Sequence, residues 1–150
     1  MRDVGLPHRL LATGLLAAML AVSACTGKAT AKPSTEQLTE CYRSIQIANL
    51  RVRYSEELSA SEIRTAQNEL KDASTKVLQA WARREGVELK LTDDFTEESP
   101  RAQAFLDGVN IEAGINQQDL MDTIAEASAD PSAWRSYYDA ALDCTEEVAK

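Results

Sequence analysis

The chain predicts an all-α fold, a small bundle of four to five helices. Three observations predict it. Apolar residues recur at three- and four-residue spacing through most of the chain from Thr35 onward. Capping residues and prolines stand where these stretches begin, and a glycine follows the longest of them. No two alternating segments joined by a tight turn occur, so no hairpin signal competes.

The first helix opens at Thr35. Ser34 and Gln37 have the spacing of a capping box, in which each side chain accepts from the other residue's backbone N–H. Leu38, Cys41, Tyr42, Ile45, Ala48 and Val52 then form one apolar stripe. A second stripe, Ile47, Leu50, Tyr54 and Leu58, lies on roughly the opposite side. Such a helix is expected either between two neighbours at the centre of the bundle or with its second stripe presented to a partner.

A second capping box, Ser59-Ala60-Ser61-Glu62, starts the next helix after a very short turn. Its stripe is Ile63, Ala66, Leu70, Ala73, Val77 and Trp81. Arg83 and Arg84 suit the negative end of the helix dipole, and Gly86 suits the left-handed residue that closes it. Residues 87–91, VELKL, alternate apolar and polar but have no mate, so they read as a connecting segment. An acidic loop, TDDFTEES, follows.

Ser99-Pro100 reads as an N-cap followed by a first-turn proline. The third helix carries Ala102, Phe105, Leu106 and Val109 inward, weakened by Gly108 and Gly114. Asn116 caps a fourth helix, with Asp119 near its positive end and Leu120, Ile124 and Ala127 inward. Asp130-Pro131 repeats the cap-and-proline signal for a last helix with Trp134, Tyr137, Tyr138, Ala141, Cys144 and Val148 on one side.

The N-terminal stretch has a different character. Arg2 and Arg9 flank a single acid, Asp3, and residues 10–22 form the apolar run LLATGLLAAMLAV. At about 1.5 Å per residue this run reaches roughly 20 Å, short for a bilayer core that needs about 20 apolar residues. It suits a cleavable signal. The run ends in Val22-Ser23-Ala24-Cys25. This tetrapeptide resembles the lipobox of bacterial lipoproteins, an aliphatic residue, two small residues and a cysteine. Val22 departs mildly from the leucine the family usually carries. The resemblance covers about 25 residues, in the order basic start, apolar core and box. It implies cleavage between Ala24 and Cys25, and attachment of a diacylglycerol thioether to Cys25. Two or more acyl chains, which it also implies, hold a protein stably where one does not.

Cleavage there would leave 126 residues with 14 basic and 23 acidic side chains, net −9. That is one domain of ordinary size, helical over residues 35–150, behind a polar tether, residues 25–34, spanning about 33 Å at most. The acidity argues against nucleic acid as a partner and against electrostatic adhesion to an anionic membrane. The expected location is the cell envelope, on the outer face of the plasma membrane or at the outer membrane. Thr26 in place of aspartate after Cys25 resembles the pattern that permits outer-membrane delivery in two-membrane bacteria.

With Cys25 given to lipid, Cys41 and Cys144 remain as an even pair in an oxidising compartment. A single disulfide between them would close the bundle. It would also close a loop of about 100 residues, contributing about 4–5 kcal/mol in the chain-entropy model.

The chemistry that is missing narrows the function. The only histidine, His8, lies in the signal. The expected mature chain therefore has no imidazole for triads, zinc ligation or acid–base work at neutral pH. No CxxC or glycine-rich phosphate loop occurs, and no cofactor is expected. Asp93, Asp94, Glu97 and Glu98 offer hard oxygen ligands but lack EF-hand spacing, as does the segment from Asp107 to Glu112. The doublets Glu56-Glu57 and Glu146-Glu147 read as solvated surface, and Arg51 and Arg53 as part of a mixed-charge surface beside the former. Trp81, Trp134, Tyr137 and Tyr138 read first as core packing, second as a ligand groove.

The expectation is a non-catalytic binding or structural module whose partner is another envelope protein. The alternatives are a solute- or lipid-binding carrier with an aromatic-lined cavity, and a glycan-acting enzyme with two carboxyls facing across a cleft.

Overall fold

The computed structural model describes residues 31–91 and 99–150. The proposed signal and lipobox, and the candidate ligands Asp93, Asp94, Glu97 and Glu98, lie outside the described residues. The chain folds into five helices with no strand among the described residues: α1 (Thr35–Arg53), α2 (Ala60–Glu85), α3 (Pro100–Ala113), α4 (Gln117–Ala129) and α5 (Trp134–Val148). A short 3₁₀ turn, Pro131–Ala133, precedes α5.

The helix starts follow their local chemistry. Ser34 and Ser59 each accept from the backbone N–H three residues on, while Gln37 and Glu62 reach back to complete two capping boxes. Ser99 and Asn116 cap α3 and α4 by accepting from the backbone N–H three residues on, without the reciprocal bond. Gly86 closes α2 at φ 67°, a left-handed conformation that glycine adopts without penalty. Asp130 departs from the expectation. It makes no side-chain cap to a backbone N–H, and its carboxylate instead accepts from the Ser132 hydroxyl at 2.8 Å. The proline then opens the 3₁₀ turn, so α5 begins only at Trp134.

α1 packs chiefly against α5 and α2, which also touch each other, while α3 and α4 flank α1 more lightly. The core lies within the α1, α2 and α5 triad, where Leu38, Ile45, Val52, Leu70, Val77 and Leu78 are fully buried. Cys41 and Cys144 are bonded, with Cα atoms 5.7 Å apart. Near the other end of α1 the Arg51 guanidinium lies 3.8 Å from the Tyr137 ring centroid. These two contacts fix α5 antiparallel to α1. The disulfide closes the bundle by joining its first and last helices. The buried Thr145 beside it is satisfied, since its hydroxyl donates to the Ala141 carbonyl at 2.8 Å.

α3 is continuous through Gly108. Its Phe105 meets Trp81 edge-to-face at 6.3 Å between centroids, which ties α3 to α2. Leu89 and Leu91 in the connecting segment rest against the core. Their alternation thus places one side of an extended piece on the bundle rather than in a sheet.

Candidate functional site

The second stripe of α1 is not one exposed face. Tyr54 is 42% exposed. Ile47 and Leu50 are half-buried, and Leu58 packs against the core. Ile47 faces a cleft that also includes Ile115 and Thr123, at the junction of α3 and α4 with α1. Of this stripe, Ile47 meets the flanking helices, Leu58 the core and Tyr54 solvent.

Arg51 corrects the mixed-charge surface reading. Its side chain is 4% exposed and its Nη2 donates to Glu126 Oε2 of α4 at 2.6 Å. Its guanidinium covers the Tyr137 ring of α5, and its Nε has no hydrogen-bond partner among the described residues. One cation thus gathers α1, α4 and α5. Arg53, two residues on, is exposed and lies 5.9 Å from the Tyr54 ring.

A cleft of about 350 Å³ runs between α1 and α2. α1 supplies Tyr42, Gln46 and Asn49; α2 supplies Gln67, Asn68, Lys71 and Ser74. Gln67 Nε2 donates to Asn49 Oδ1 at 3.2 Å, bridging the two helices. Gln46 straps the end of α3, donating to the Ala113 carbonyl at 3.5 Å and accepting from the Ile115 N–H at 3.3 Å. Burial raises the pKa of Tyr42, so its hydroxyl stays a neutral donor. The cleft is lined by amides, hydroxyls and the Lys71 side chain, without a carboxylate. It can hydrogen-bond to a peptide or a hydroxylated ligand, and its walls supply no acid–base pair.

A shallower shelf of about 270 Å³ is framed by Trp134, Tyr138, Glu62 and Glu69. Trp134 and Tyr138 meet at 6.0 Å in a tilted edge contact. The Ser59 hydroxyl and N–H hold the Glu62 carboxyl below the usual carboxylate range, which commits it to capping α2 as an anion. It offers no proton to a leaving group at neutral pH.

Among the described residues no group of three metal-ligating side chains converges. Asp107 is engaged by Gln103 within α3 at 2.9 Å, which sets that segment in a helix rather than in a ligand loop. No helix among the described residues is long and apolar enough to cross a membrane. Residue-level reading missed the amide cleft, although Gln46 with Asn49, and Gln67 with Lys71 and Ser74, recur at helical spacing and could have marked polar stripes beside the apolar ones.

No family model, no curated protein and no solved structure matches this chain.

Proposed function

We propose that the chain is a lipid-anchored envelope protein whose helical domain is a non-catalytic binding or structural module. The observation that carries this reading is the Cys41–Cys144 bond. It takes up both cysteines downstream of the lipobox-like box and leaves Cys25 as the sole thiol for acylation. Such a bond persists in exported proteins and is rare where the cytosol keeps thiols reduced. The amide-lined cleft between α1 and α2 is the best candidate surface for a partner segment. Its hydrogen-bonding walls, amides and hydroxyls with Lys71 among them, suit a polypeptide or a hydroxylated ligand.

Intact mass spectrometry of the protein extracted from native membranes tests the anchor. The expected species begins at Cys25, carries acyl chains and has no free thiol open to alkylation. A chain that retains residues 1–24, or an unmodified thiol at its first residue, would refute the reading. Crosslinking in the same membranes tests the module. A reproducible envelope partner, lost when Asn49 and Gln67 are replaced by bulky residues, is the expected result.

A further inference from the structure

We propose that a cationic cleft at the tether end of the bundle seats the phosphate-bearing head groups of anionic phospholipid, so that the domain rests on the bilayer end-on. This rests on the lipid-anchor reading above. The antiparallel packing brings the start of α1 and the ends of α2 and α5 to one end. There Lys32, Arg83, Arg84 and Lys150 surround a cleft of about 240 Å³ floored by Ala80 and Val148, and no lining side chain is acidic. In a chain of net charge −8 this is a local reversal of sign.

Helix-end electrostatics explain part of it. Arg83 and Arg84 complement the negative end of α2. Arg84 is also engaged, donating to the Pro33 carbonyl at 2.6 Å and lying 3.9 Å from Glu85. That bond lays the start of the described chain across the rim of the cleft. The dipole does not account for Lys32 and Lys150, which belong to other segments yet face the same opening. Lys32, Arg83 and Lys150 are exposed and form no ion pair among the described residues.

Position supplies the second argument. Lys32 lies only seven positions after Cys25, about 25 Å when fully extended. An acylated Cys25 would hold these cations close to the head-group layer, where surface attraction acts within a Debye length of about 8 Å. Whole-chain acidity then keeps the rest of the domain away from the same surface.

The test uses the mature acylated protein mixed with vesicles of phosphatidylcholine alone or with phosphatidylglycerol added. Flotation reports the lipid anchor. Amide exchange of residues 80–86 and 146–150 reports the cleft. The expected result is flotation with both vesicles and a several-fold slowing of exchange only with the anionic ones. Charge reversal by Arg83→Glu with Lys150→Glu, or neutralisation by Arg83→Gln with Lys150→Gln, should abolish that slowing without reducing flotation. Flotation with equal exchange in both vesicles overturns the docking proposal and leaves the anchor standing. Flotation with anionic vesicles alone overturns the anchor and supports the cleft, and flotation with neither overturns both. Inorganic phosphate in solution reproducing the slowing would assign the cleft to a free anion and overturn the membrane seat.

Discussion

Two side chains show how burial changes what a residue does. Arg51 is a buried cation whose counter-ion, Glu126, is 63% exposed. Removing the carboxylate leaves a desolvated guanidinium without its partner. Replacing Arg51 by an apolar side chain of similar length leaves an acid already open to water. Glu126→Gln should therefore destabilise by about 1–2 kcal/mol, less than the 3–5 of a fully buried pair because solvent screens the acid. Arg51→Met should stay within about 1 kcal/mol of the parent. Urea denaturation of both variants checks the order, and a larger loss for Arg51→Met would refute it. Tyr42 carries a second prediction. Its folded pKa lies above the unfolded value of about 10 because burial disfavours the phenolate. The unfolded chain thus releases this proton first as pH rises. Stability is intact below pH 10 and falls as pH climbs from there through the raised folded value. Tyr42→Phe should flatten that alkaline decline in pH-dependent melts.

The helix ends are where local sequence acted most directly. Ser59→Ala removes the cap at the α2 N-terminus and should cost about 1 kcal/mol by thermal or chemical denaturation. The Glu62 half of this box is an anion with a lowered pKa, so its contribution is present at neutral pH and fades as pH falls through the folded value. Gly86 and Gly114 differ in kind. A Cβ on Gly86 meets nothing within 4 Å, and only its positive φ is strained. A Cβ on Gly114 would clash with the Asn110 carbonyl oxygen at the end of α3. Gly114→Ala should cost more than about 2 kcal/mol, against about 1 for Gly86→Ala. It should also raise amide exchange at Ile115, the N–H that Gln46 accepts. The caps at Ser34, Ser59, Ser99 and Asn116 were legible because a cap is a contact between residues three apart. Asp130 does not cap, because its carboxylate accepts from the Ser132 hydroxyl within the 3₁₀ turn that Pro131 opens.

For the molecule as a whole, the bond between Cys41 and Cys144 spans 103 positions and joins the two helices that share the most packing. Replacing both cysteines by serine should lower unfolding free energy by about 4–5 kcal/mol if the unfolded-chain entropy dominates. Equilibrium denaturation checks this, and a loss under about 1 kcal/mol would show the bundle to be self-sufficient without the link. The pairing followed from counting, since one pairing remained once Cys25 was assigned to lipid. That both cysteines lie on apolar stripes of the first and last helices made the antiparallel contact foreseeable.

The sequence by itself determined the starts of α1 to α4, the all-α class and the facing stripes of α1, α2 and α5, because each depends on contacts within one or two turns. Only the tertiary structure decided how the second stripe of α1 is shared between α3, α4 and solvent, and that Arg51 lies inside while Arg53 stays out. It alone assembled the amide cleft from two helices and the cationic cleft from three separate segments. Those features depend on which helix lies beside which. Side chains many turns apart in the chain meet only when packing brings them together, and no local periodicity encodes that choice.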